Sequence, residues 1–263
     1  MREVRYELMR PGEILAEMAA CPLVYVPLGP LEWHGPHLPL GTDPLIAYAV
    51  ATRAAQRTGG VVLPPFFWGS ERERSRRQLE DIGFHGDEWI IGMDFPANAL
   101  KSLYCREEYL ALLLRELLEL LVRQGYRLIV IVNGHGGRNH MAVLDRLAAE
   151  LTAQGPARVL NILAWARQGA DKPGIGHGCS DETSVMMALW PESVDLAALP
   201  PLSEPLGNVD WGIVDSLTFR GLPAPDFTVR DDPRASTRQQ GEADLHESVE
   251  FVVQRVQQAL SGE

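Results

Sequence analysis

The segment Arg127–Val132, RLIVIV, constrains this chain most: after the arginine come five consecutive apolar, mostly β-branched residues, and the run ends directly in the turn NGHGG. A strand apolar at every position is buried on both faces, as strands of a parallel sheet covered by helices are. Pro22–Leu28 (PLVYVPL), Gly60–Pro64 (GVVLP) and Arg158–Leu163 read as further strands of this kind. Between them, Pro44–Thr58, Arg106–Arg123 and Asn139–Thr152 carry apolar residues at helical spacing. Asp181–Trp190, acidic in its first turn, and Glu242–Leu260 read as later helices. The alternation predicts an α/β fold with a mostly parallel central sheet.

Residues 68–104 mix tryptophan, glycine and charge without a clean period, and residues 200–234 are proline-rich with short possible strands. Both are apolar enough to predict ordered loops over the sheet. Arg72, Arg74, Arg76 and Arg77 alternate with glutamates and read as a solvated or subunit-contacting face. With 263 residues, 46% of them hydrophobic, one domain spanning 1–263 is the expectation. A net charge of -11 opposes binding to nucleic acid or an anionic membrane. Cys21, Cys105 and Cys179 are odd in number and lack CxxC spacing, which fits a reducing, cytoplasmic setting. No leader or membrane-length apolar run is read from the sequence.

Three glycine-flanked clusters follow strands, where ligand crevices of open α/β sheets form. The first, GPLEWHGPHLPLGTD, brings Glu32, His34, His37 and Asp43 close together. Glu32 and His34 are alternate residues, which point the same way in an extended segment and offer an oxygen and a nitrogen side by side. A polar surface loop is the plain alternative for any one of them; the density of imidazole and carboxylate favours zinc, manganese or iron over calcium. The second cluster, NGHGGRNH, carries His135 at its apex, and a phosphate-cradling turn is its competing reading. His140 there reads as an ordinary position on the following helix. The third, GHGCSDETS, places His177 before Glu182 at a helix start, where an acidic side chain also serves the helix dipole.

Together with DDPRASTRQQGE near the C-terminus, these motifs resemble the creatininase (creatinine amidohydrolase) family over most of the chain. The resemblance implies a three-layer αβα sandwich. It further implies two divalent transition-metal ions per chain, zinc first among zinc, manganese and iron. The residues matching the family's ligands are Glu32, His34, Asp43 and His135, with Asp43 bridging. Creatininases proper carry a further glutamate two residues after the NGH histidine; here that position is Gly137, and Glu182 is expected to fill its place.

The implied reaction is hydrolysis of a C–N bond in a small cyclic amide or formamide by metal-activated water, with His177 and Glu182 as catalytic residues and His177 protonating the leaving group. The residues before His177, from Lys172 to Gly176, lack the tryptophans that close over creatinine in creatininases proper, which points to another substrate. A ring-opening C–C hydrolase of an inositol-derived cyclic diketone and a non-catalytic metal-binding relic are the alternatives. The resemblance also implies a homo-oligomer, commonly a hexamer.

Overall fold

The structure is a computed structural model that describes residues 2–81, 84–95, 98, 100–165, 176–204, 206–209, 212–214 and 232–262. Four parallel strands, β1 (Leu23–Leu28), β2 (Val61–Val62), β3 (Leu128–Asn133) and β4 (Arg158–Leu163), form a sheet in the order β2-β1-β3-β4. The register runs from Leu23 opposite Leu128 to Leu28 opposite Asn133, and from Leu128 opposite Arg158 to Asn133 opposite Leu163. The strands therefore end level, and the loops that leave β1 and β3 start side by side.

Side chains alternate across a strand, so each apolar run feeds two cores. Leu23, Tyr25, Leu128, Val130 and Val132 face one side, against Ile46, Val50 and Ala54 of α2 (Thr42–Thr58). Met186 of α6 (Ser180–Leu189) and Leu245, Val249, Val252 and Val256 of α7 (Arg238–Ser261) complete that layer. Val24, Val26, Leu28, Ile129 and Ile131 face the other side. They meet Leu110, Leu114 and Leu118 of α4 (Glu107–Gln124) and Leu144, Leu147 and Leu151 of α5 (Arg138–Gln154). Helices on both faces of a parallel sheet make the expected three-layer αβα sandwich.

Several boundaries differ from the sequence expectation. β2 pairs over only Val61 and Val62, because Gly60 adopts a positive φ of 82° and breaks the run expected from residue 60. The last helix starts at Arg238 instead of Glu242: the Thr237 hydroxyl accepts from the Gln240 N–H and caps it early. A helix α1 (Pro11–Ala20) that the apolar pattern does not announce has Pro at its start and Glu13 accepting from the Arg10 N–H. None of its residues is fully buried, so it lacks the stripe on which a periodicity reading depends.

The described residues of the segment 68–104 form a hydrogen-bonded loop beside the strand ends. Leu103 N–H donates to Leu31 O and Cys105 N–H to Gly69 O, and a short helix α3 (Arg76–Asp81) lies within it. Leu79, Ile90, Met93 and Phe95 form a small core of its own. Arg72 and Arg76 are exposed and paired with Glu107 and Glu80, as a solvated face requires. Arg74 departs from that reading: it is buried, donates to Gly92 O at 2.7 Å and lies over the Phe95 ring. From the proline-rich region the described residues include two short antiparallel strands, β5 (Gly207–Val209) and β6 (Gly212–Val214). Residues 166–175, which include the positions just before His177, lie outside the described residues.

Candidate metal centre

Glu32 and His34 lie in the loop after β1, and Asp43 in the first turn of α2, where a carboxylate meets the positive end of the helix dipole. The turn between β3 and α5 carries His135. Its tight path requires glycine beside it, since a Cβ on Gly134 would collide with the carbonyl group of Asp43. Asn133 fixes the turn: its Oδ1 accepts from the His135 N–H at 3.0 Å and its Nδ2 donates to His135 O at 2.6 Å. Glu182 enters from the first turn of α6, with Oε2 accepting from the Gly178 N–H at 2.6 Å.

The other four side chains converge on Asp43. His34 donates from Nδ1 to the Glu32 carbonyl at 3.0 Å, leaving Nε2 directed at Asp43 Oδ1, 3.1 Å away. His135 Nδ1 lies 3.1 Å from Asp43 Oδ2 and 3.0 Å from Glu32 Oε2. Glu182 Oε2 stands 3.7 Å from His34 Nε2. Two donor groups result, Glu32–Asp43–His135 and His34–Asp43–Glu182, with Asp43 common to both. A third, Glu32–His34–His177, overlaps them.

Glu32, Asp43 and Glu182 are only 2%, 3% and 5% exposed, and three carboxylates buried together demand positive charge. Without an ion, the histidines supply it. Burial opposes a charged His34, but Glu182 and Asp43 outweigh it and raise its pKa to about 10. Burial is likewise overcome at His135, chiefly by Glu32, and its pKa rises well above the usual value. Asp43 is held below the ordinary carboxylate range because the two imidazoles outweigh its desolvation. Burial, reinforced by Asp43, pushes Glu182 up to about 7 despite the pull of His34. Glu32 Oε2 accepts no aligned hydrogen bond although it is buried. An orphaned carboxylate oxygen beside imidazoles forced to carry charge is the pattern a divalent cation would relieve, so the donor set fits a metal.

His177 stacks on His34 with ring centroids 4.0 Å apart. Its Nε2–H donates to Trp33 O, and Nδ1 lies 3.9 Å from Glu32 Oε2. Burial and the neighbouring His34 lower its pKa to about 4, so it is neutral at pH 7. His37 is not drawn into the cluster; its Nε2 pairs with Thr183 Oγ1 at 3.0 Å. His140 sits on α5 as expected but is buried and has a supporting role. It accepts from the Ser70 N–H and pairs with the Asn133 Oδ1 that orients the His135 turn.

Two neighbours come from the segment that sequence reasoning left without a role. Tyr104 donates to Glu32 Oε1 at 2.5 Å, and Glu71 Oε1 lies 3.0 Å from His135 Nε2. Glu182 reaches the centre beside His34 and completes a donor group with His34 and Asp43. The space over Gly137 is held by Glu71: a Cβ at 137 would overlap Glu71 Oε1 and stand 2.6 Å from His135 Nε2. The reason is topological, since α6 delivers its carboxylate to the α2 side of the site while residues 69–71 cross beside the turn after β3.

Fold and site together define a three-layer α/β protein with a buried imidazole–carboxylate centre at the carboxyl ends of its parallel strands. The chain belongs to the creatininase family, whose description, creatinine amidohydrolase, matches residues 7–256, and it is a hydrolase of that family. It is 30% identical over 252 residues to the mycofactocin precursor peptide peptidase of Mycobacterium tuberculosis, covering 89% of this chain and 84% of that protein. It is 26% identical over 205 residues to the creatinine amidohydrolase of Pseudomonas putida, covering 70% of this chain and 71% of that one. A solved manganese creatininase shares its fold, with a TM-score of 0.69 at 24% identity over 98% of this chain and 99% of the other.

Proposed function

We propose that this chain hydrolyses a C–N bond of a small amide at two divalent transition-metal ions held by Glu32, His34, Asp43, His135 and Glu182. The observation that carries this reading is the pair of buried donor groups sharing Asp43. Glu32, Asp43 and His135 would hold one ion, and His34, Asp43 and Glu182 the other. When bound, such a pair activates water and polarises the carbonyl to be attacked. Mixed nitrogen and oxygen donors suit zinc, manganese or iron, and manganese is named for the solved creatininase.

His177 handles the proton. With Nε2–H committed to Trp33 O, a neutral ring presents the Nδ1 lone pair toward Glu32. Nδ1 takes a proton as water attacks and returns it to the departing nitrogen, so His177 acts first as base and then as the acid expected from the sequence. Glu182 serves catalysis in this reading as a ligand, its Oε2 lying 3.7 Å from His34 Nε2.

The two relatives named above carry names for cleaving a peptide and for hydrolysing creatinine, which supports an amide-type C–N bond. Within it, a cyclic amide or formamide is our reading. The same reading takes the chain as one domain, supported by the family match over residues 7–256. A homo-oligomer is supported by Tyr109, Leu112, Leu113 and Leu120, exposed on α4. Three thiols free of disulfides support a reducing, cytoplasmic setting, and among the described residues no helix is long and apolar enough to cross a membrane. The test is to strip the protein with chelator, restore zinc or manganese, and assay lactams, formamides and short peptides. Turnover of an amide that returns only with metal is expected; opening of a cyclic diketone with no amide cleaved would contradict the assignment.

A further inference from the structure

We propose that Glu71 is a positioning residue for the metal bound by Glu32, Asp43 and His135, accepting the Nε2–H of His135 so that Nδ1 keeps its lone pair for the ion. The inference rests on the two-ion reading above. His135 cannot offer both ring nitrogens to one metal. Nδ1 is the nitrogen that faces the donors, 3.1 Å from Asp43 Oδ2 and 3.0 Å from Glu32 Oε2. Nε2 points away from them to Glu71 Oε1 at 3.0 Å. Among the described residues Glu71 joins none of the three donor groups, so its contact with the centre runs through the imidazole. A carboxylate behind a ligating histidine fixes the tautomer and raises the basicity of the ligand.

The chain holds Glu71 there deliberately. Gly69 O accepts from the Cys105 N–H, the Ser70 N–H donates to His140 Nδ1, and the Glu71 Oε2 accepts from the Arg72 N–H at 3.2 Å. The remaining requirement is space, and Gly137 supplies it. Its φ of -55° and ψ of 128° suit any residue, so backbone conformation does not demand glycine. What glycine leaves is room: a Cβ would collide with Glu71 Oε1 and stand 2.6 Å from His135 Nε2, so Glu71 would have to move. Glu71 thus occupies the space over Gly137 and acts through the ring of His135, while Glu182 stands in the donor set.

Cobalt(II) alone is the probe, titrated into metal-free wild type and variants in competition with a chromophoric chelator, with the cobalt absorption bands recorded. Wild type is expected to bind two ions. Glu71→Ala should weaken one of them by roughly 10- to 100-fold and leave the other unchanged. Glu71→Gln retains an oxygen acceptor for Nε2–H and should recover most of the affinity. Gly137→Ala, which displaces Glu71, should weaken the same ion, and combining it with Glu71→Ala should add little. Unchanged affinity in Glu71→Ala, or a Gln variant as weak as the Ala variant, would overturn the role of Glu71 while leaving the two-ion centre standing. A wild type that binds no second ion would overturn the centre itself, and the inference with it.

Discussion

At the scale of single residues, the chemistry turns on how little freedom the site leaves each side chain. Asp43 meets one imidazole with each oxygen, and His34 has its tautomer set by the Glu32 carbonyl. His177 is the residue whose role separates an enzyme from a metal-binding relic. His177→Ala should keep both ions while kcat falls by roughly 10²- to 10⁴-fold, the range for a positioned acid or base. Metal analysis beside turnover decides the matter: loss of an ion with the activity would make His177 a ligand. Glu32, His34, Asp43, His135, His177 and Glu182 could be singled out in the sequence because each sits among glycines and prolines just after a strand or at a helix start. Glu71 and Tyr104 could not. Their segment has no period, Glu71 stands next to the solvated Arg72, and tertiary contacts such as those of Leu103 with Leu31 and of Cys105 with Gly69 carry them to the site.

Among the elements, α6 and α7 are the pair on which Glu182 depends. Gly241 lies in the first part of α7 against the Ser184 carbonyl, two residues from Glu182, and any Cβ there would overlap that oxygen. Gly241→Ala would gain about 1 kcal/mol of helix propensity, but the clash is with backbone that cannot rotate away. A net loss of up to about 2 kcal/mol is expected in urea unfolding, since overpacking costs reach about 3 kcal/mol. Equal or higher stability would show that α7 packs less closely on α6 than described. Elements buried on a face were readable from periodicity: the four strands and α2, α4, α5, α6 and α7 each overlap the residues where the apolar pattern put them, with ends shifted by up to four residues. The surface helix α1 and the short α3 were not, because local capping and the loop's own small core create them without a stripe toward the main core.

For the whole molecule, metal and stability are coupled. In the metal-free protein His34 has a folded pKa of about 10, against about 6.5 when unfolded. A raised folded value means that the native state holds the extra proton. The stabilisation is full below about pH 6.5 and drains away as pH climbs toward 10. Melting of the metal-free protein should fall across that window, and metal, which needs neutral imidazoles, should remove this dependence; an identical slope with and without metal would count against the centre. The exposed Tyr109, Leu112, Leu113 and Leu120 face of α4 should be covered by another copy, so light scattering should report an oligomer that Leu112→Lys dissociates. A wild-type monomer at micromolar concentration would remove that expectation. The central claim is that Asp43 is shared between two ions, and ion content per chain tests it most directly. Wild type should carry close to two transition-metal ions and Asp43→Ala should lose occupancy at both sites, whereas a variant that keeps both ions in full would contradict the account.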